Sequence, residues 1–271
     1  MPPTDSTNNT LAVVGSGVIA CSLAATAVSH RQPVLLYARS DASAARARAT
    51  VDETLRRLGS KVDPKNVGIT TDMAALKGAD FVVEAIVEDL GAKATLHRKL
   101  NGILEEKAIL ASTTSSLSVE SLAKASGRRS HFVGLHVFNP VTKMQLVELI
   151  FPTTASDHTR ESALELCAHL EKVPIVVPDK PGFVVNRLLF PYLFAAVRLV
   201  EEGKIQAKSV DDCMRLGAGH PMGPLALLDL VGLDVAKAIG ETIEVEVPAM
   251  VGTLIDEGKL GRKSKQGFHS Y

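Results

Sequence analysis

Charge of a single sign is missing from this sequence: over 271 residues, 30 Lys and Arg are matched by 30 Asp and Glu. That balance excludes the extended basic surface needed to coat nucleic acid or anionic lipid, so neither a nucleic-acid nor a membrane partner is expected. Cysteine is scarce as well. Cys21, Cys167 and Cys213 are far apart, odd in number and without C-x-x-C spacing, which excludes a disulfide framework, offers no metal site and fits reduced, buried thiols in a cytoplasmic protein. No apolar run approaches bilayer length, and no repeat or low-complexity tract interrupts the chain. The opening MPPTDSTNNT is polar and lacks the basic start and apolar centre of a signal peptide, so a loose tail over residues 1–10 is expected.

What is present is the composition of a globular protein, 46% hydrophobic and 22% charged, at a length that suits one large domain and one smaller one. LAVVGSGVIACSLAATAVSH reads as an apolar strand, a glycine turn and a helix rich in small residues, and PVLLYA, residues 33–38, as a second, fully buried strand. A polar helix, SAARARATVDETLRRLG, precedes a loop with a brief strand. FVVEAIV (residues 81–87), AILAST and FVGLHVFN then read as further strands, with KATLHRKLNGILEE and SVESLAKAS as the helices between them. Strands alternating with helices imply a parallel sheet covered on both faces. After VPIVVPDKPGFVVNR every segment has helical spacing. The expected fold is therefore α/β, with an N-terminal doubly wound sheet of the Rossmann type over residues 11–180 and a smaller all-α C-terminal domain over residues 181–271.

Gly15-Ser16-Gly17-Val18-Ile19-Ala20 fits G-x-G-x-x-G/A. Gly15 permits the tight turn, Gly17 lets a pyrophosphate approach the backbone, Ala20 allows close helix packing, and the helix start offers unpaired N–H groups to the anion. The turn follows a buried strand and opens a helix that leads to a second buried strand, so a dinucleotide-binding unit is expected. In NAD-binding units the second strand ends in Asp or Glu, which holds the adenosine ribose and repels a 2′-phosphate. Here YARSD, residues 37–41, puts Ala38 at that position, with the Arg39 guanidinium and the Ser40 hydroxyl beside it as phosphate donors. NADP is the expected cofactor, with NAD the alternative: Asp41 would reach the ribose in a shifted register, and Arg39 can also be read as a solvated surface charge.

The middle of the chain carries STTSSLS (112–118), GLHVFNP (134–140), QLVELI (145–150) and PGFVVNR (181–187). With GHPMGPLALLDLVGLD and the terminal GRKSKQGF, these motifs resemble the 3-hydroxyacyl-CoA dehydrogenase family, including the bacterial 3-hydroxybutyryl-CoA dehydrogenases, over nearly the whole chain. His136 is the candidate general acid/base, because an imidazole titrates near neutrality, at roughly pH 6.5. Glu148, twelve positions later, can accept the other imidazole N–H, fix the tautomer and stabilise the imidazolium. The resemblance implies this same pair.

The resemblance further implies that Ser115, which follows a buried strand at the carboxyl edge of the sheet, contacts substrate and nicotinamide, and that Asn186 helps hold the substrate thioester. By residue type alone Ser115 also reads as a helix cap and Asn186 as a turn former. Glu88, Lys93, Asn139 and Lys263 match family positions lining the cofactor; the ordinary alternative for such charges is solvated surface. The implied reaction is reversible hydride transfer between C3 of a 3-hydroxyacyl thioester and the nicotinamide, with a place in fatty acid metabolism, and relatives imply a homodimer paired through the helical domain. Four departures qualify this, one of them a compressed stretch at GETIEVEVPAM. Thr113 stands where the family motif usually has asparagine, Ala226 replaces an acidic residue common after the PMGP turn, and the segment after LRRLG is shorter than the basic arm that contacts coenzyme A in typical members. An acyl-carrier-protein thioester or a free hydroxy acid is therefore an alternative substrate, and a non-catalytic cofactor-binding protein is the alternative of a different class.

Overall fold

The computed structural model describes residues 10–271; the expected tail, all but its last residue, lies outside them. Two compact units divide the chain, one ending at Asp179 and the other running Lys180–Tyr271.

The first unit is an eight-stranded sheet. In chain order its strands are β1 (Leu11–Val14), β2 (Val34–Tyr37), β3 (Val67–Thr70), β4 (Phe81–Glu84), β5 (Ile109–Ser112), β6 (Phe132–Val137), β7 (Leu146–Ile150) and β8 (Val173–Val176), arranged in space as β3-β2-β1-β4-β5-β6-β7-β8. β1, β4, β5 and β6 are buried at every position, which is why they read as continuous apolar runs. The order reverses between β1 and β4, and such a switch opens a crevice at the carboxyl ends of the strands.

The helices of this unit are α1 (Val18–Ser29), α2 (Asp41–Arg57), α3 (Leu90–Asn101), α4 (Val119–Ser126) and α5 (Asp157–His169). α1 is made of small side chains and is buried from Ala20 to Val28, so its backbone lies close to the sheet. α2 is amphipathic and buries Ser43, Ala47, Val51 and Leu55, one residue per turn. α4 stops at Gly127, whose φ of 78° is the left-handed cap glycine adopts without strain.

The structure departs from the expected sheet in three places. β7 runs antiparallel to β6, because the eight residues between them are too few for a crossover helix. The VPIVV stretch supplies an edge strand, β8, rather than a mere crossing segment. β4 ends at Glu84, not at residue 87, because the chain turns there: the Ile86 N–H bonds back to the Glu84 carboxylate at 2.8 Å.

The second unit is all helical: α6 (Val185–Glu201), α7 (Ala207–Gly217), α8 (Pro224–Val231), α9 (Leu233–Thr242) and α10 (Ala249–Asp256). Phe190, Leu193, Phe194 and Val197 of α6 pack with Leu225 and Leu228 of α8, Leu233 and Ala236 of α9, and Val251 of α10. The buried Asp229 carboxylate ties down the C-terminal segment by accepting the N–H groups of Phe268 and His269, each at 2.9 Å.

Candidate active site

The β1–α1 turn is built for an anion. Gly15 has a φ of 138°, its N–H donates to the Tyr37 carbonyl at 3.0 Å, and a Cβ there would stand 2.3 Å from the Ala85 carbonyl oxygen, so only glycine fits. A Cβ on Gly17 would meet nothing within 4 Å, so this residue faces open space. Gly17 is also the N-cap of α1, makes no side-chain cap and is followed by no acid in the first turn, which leaves the helix N–H groups to a ligand. Ala20 is fully buried beneath the turn. A cavity of about 970 Å³ opens over it, lined among others by Gly15, Gly17, Arg39, Glu88, Thr113 and Ser115. An uncapped helix start, a glycine turn and a cavity of that size fit the pyrophosphate of a dinucleotide.

At the end of β2, Ala38 is buried and Arg39 is exposed to the cavity. Asp41 turns aside, its carboxylate accepting the Thr71 hydroxyl at 3.3 Å, and does not line the cavity. Ser40 departs from its expected role: its hydroxyl caps α2, accepting the Ser43 N–H at 3.3 Å, and it is absent from the lining.

His136 and Glu148 face each other directly across the β6–β7 ladder. The His136 Nδ1 lies 2.6 Å from Glu148 Oε2, and both side chains are buried. An imidazole Nδ1–H donating to the carboxylate fixes the tautomer of the ring. The Phe138 ring lies against the imidazole, 4.6 Å between centroids. The antiparallel return that the alternating pattern did not reveal is what brings the two together.

Glu88 organises the loop after β5. One oxygen, Oε1, accepts the Thr114 hydroxyl and the Ser115 N–H at 2.7 Å each and the Ser116 N–H at 3.0 Å. Ser115 is thereby held at the cavity wall. Lys93 is not. It is fully buried, bonded to Glu84 at 2.7 Å and 3.4 Å from Glu88, and does not line the cavity. The buried carboxylate it serves also binds His97 Nε2 at 2.9 Å and accepts the Ser112 hydroxyl at 2.7 Å. Burial pushes the Glu84 carboxyl up, but hydrogen bonding by His97 and the Lys93 charge outweigh it and hold the pKa at about 2. Sequence reading missed Glu84, His97, Ser112 and Thr114; the one signal was an acid closing a buried strand.

Asn139 is exposed beyond β6 and outside the cavity lining. In the second unit, Asn186 is buried in the first turn of α6. Lys263 is ion-paired with Asp234 at 2.6 Å. Among the described residues no His, Cys, Asp and Glu cluster suits a metal, and no helix is long and apolar enough to cross a membrane.

Comparison with known proteins agrees with this geometry. Residues 10–180 match the family described as 3-hydroxyacyl-CoA dehydrogenase, NAD binding domain, and residues 182–271 match 3-hydroxyacyl-CoA dehydrogenase, C-terminal domain. The chain is 38% identical over 282 residues to the mitochondrial hydroxyacyl-coenzyme A dehydrogenase of Mus musculus, covering 96% of this chain and 90% of that one. It is 36% identical over 277 residues to the 3-hydroxybutyryl-CoA dehydrogenase of Clostridioides difficile, covering 96% and 99%. The solved (S)-3-hydroxybutyryl-CoA dehydrogenase of Ralstonia eutropha superposes with a TM-score of 0.90 at 34% identity, over 97% of this chain and 99% of that one. The chain belongs to the 3-hydroxyacyl-CoA dehydrogenase family and is an enzyme of that class with an NAD(P)-binding first unit.

Proposed function

We propose that the enzyme interconverts a short 3-hydroxyacyl-CoA thioester of the 3-hydroxybutyryl type and its 3-oxoacyl partner, with NADP(H) preferred over NAD(H). When bound, the nicotinamide accepts or supplies the hydride at substrate C3. Nε2 of His136 takes the C3 hydroxyl proton in oxidation and returns it in reduction, while Glu148 keeps the ring in one tautomer and stabilises its charged form. Ser115 and Asn186 orient the substrate through hydrogen bonds, and Glu88 positions Ser115 by holding its backbone N–H. The observation that carries the reading is the buried 2.6 Å contact between His136 and Glu148, aligned in strand register. The cofactor preference rests on Ala38 in place of an acid, Arg39 on the cavity wall and Asp41 directed at Thr71.

A thioester carried on acyl carrier protein is the second substrate reading. It is favoured by the short connection from α2 to β4, where the residues outside β3 form only loop and two 3-10 turns, Pro64–Asn66 and Met73–Leu76, and no helical arm. The second unit serves as the pairing surface of a homodimer in this reading: Leu188, Leu199 and Leu216 are large apolar side chains left exposed on its helices. The three cysteines of the chain suit a reducing, cytoplasmic compartment. Following nicotinamide absorbance with acetoacetyl-CoA and acetoacetyl-acyl carrier protein, each with NADPH and with NADH, tests the reading. Turnover of the CoA thioester with NADPH favoured is the expected result; equal or better use of NADH overturns the cofactor preference, and faster turnover of the carrier-protein thioester overturns the CoA assignment.

A further inference from the structure

α2 carries four arginines. Three have acidic partners on the helix itself: Arg48 lies 3.9 Å from Asp52, and Arg56 and Arg57 both reach Glu53. Arg46 does not. Its Nη2 donates to the Ser43 hydroxyl at 3.1 Å, and both residues line the cavity wall together with Arg39. Ser43 is buried, so its hydroxyl is a fixed anchor, in contact also with the Ser40 hydroxyl at 3.0 Å. Among the described residues neither Arg39 nor Arg46 has a carboxylate partner, and Asp41, the nearest acid in sequence, is engaged by Thr71. Two guanidiniums without counter-ions therefore share one wall, at the edge of the sheet where the β2 end meets the start of α2.

Unpaired like charges brought to one wall repel each other, and a dianion between them removes that repulsion. We propose that Arg46 is a second specificity-determining residue for NADP(H): with Arg39 it binds the adenosine 2′-phosphate, and Ser43 positions it for this role. One guanidinium matches only half the charge of a phosphate monoester at neutral pH; two match it, and each offers a fork of N–H donors to the oxygens. The ribose of NAD presents only a neutral 2′-hydroxyl at this point. The proposal rests on the NADP reading and adds to it a residue and a stoichiometry of charge.

Isothermal titration of the full-length protein at 0.15 M salt with adenosine 2′,5′-bisphosphate and with adenosine 5′-monophosphate tests it without turnover. The wild type is expected to bind the bisphosphate more tightly. Arg46→Ala is expected to weaken bisphosphate binding about ten- to hundredfold, the effect of one charge-assisted contact, and to leave the monophosphate within about twofold. Arg46→Lys should recover part of the loss, because charge returns without the fork. Unchanged bisphosphate affinity in Arg46→Ala, with Arg39→Ala strongly weakened, overturns the role of Arg46 and leaves the NADP reading standing. A wild type that does not distinguish the two nucleotides overturns both.

Discussion

The charge on Glu148 is the part of the site whose contribution can be worked out and removed cleanly. Glu148→Gln keeps the size of the side chain and an oxygen able to accept the His136 Nδ1–H, and residue 148 stays opposite residue 136 in the ladder. Only the negative charge is lost. When Nε2 takes a proton, the imidazolium and the carboxylate are joined through the 2.6 Å bond, with charge centres about 4 Å apart. At an effective dielectric of about 20 their attraction is about 4 kcal/mol. The transition state realises half to all of this, according to how far the proton has moved, so turnover should fall by about 30- to 1000-fold. The assay is gain of nicotinamide absorbance at saturating 3-hydroxybutyryl-CoA and NADP, the direction in which Nε2 takes the proton. NADPH affinity, read from the cofactor's own fluorescence in a chain without tryptophan, should stay within about twofold, because neither residue lines the phosphate cavity. A thermal melt checks that the variant folds. Turnover within about threefold of wild type, in a folded variant, would refute the assignment of Glu148 as the residue that stabilises the protonated imidazole.

Two further expectations concern the first unit. Glu84, with its pKa lowered from 4.5 to about 2, contributes stability that is complete above about pH 4.5 and is lost as the pH falls through 2; the span corresponds to about 3 kcal/mol. Urea unfolding between pH 6 and pH 2 should show this loss, with a shallower acid limb in Glu84→Gln, and parallel limbs would count against the ionised cluster. Burial raises the Cys21 thiol to about 11 and the Cys167 thiol to about 12, whereas Cys213 is exposed. A disulfide reagent at pH 8 should therefore modify one thiol quickly in the native protein and all three after unfolding; three fast thiols in the native state would show that the α1 and α5 cysteines are accessible.

The glycine turn was legible in the sequence because its information is local. Gly15 is required by the positive φ and the approach of Ala85, and the buried strands on either side identify themselves by continuous hydrophobicity. His136 and Glu148 were legible as chemistry through the family resemblance, yet their alignment was not. Alternation of strands and helices predicts a parallel neighbour, and only the short β6–β7 connection reverses the direction. Ser40 illustrates a different limit. A hydroxyl beside an arginine reads equally well as a phosphate donor and as a helix cap, and the structure assigns it to the cap because the orphan N–H of Ser43 is within reach.

Lys93 shows why a charge on a helix near a cavity cannot be placed from sequence. A lysine four residues into a helix ordinarily faces water, and nothing local marks this one as buried. Its position follows from a demand made elsewhere: Glu84 closes a buried strand paired in register with Val14, immediately before the phosphate turn. A bare carboxylate there would be costly to bury and would repel the pyrophosphate across the turn. Glu88, needed to hold Ser115, adds a second negative charge to the same edge. Lys93, within 2.7 Å of one and 3.4 Å of the other, offsets both without entering the cavity. In the folded chain Lys93 is thus a counter-ion to the acids behind the turn, and that part depends on its charge and its burial together.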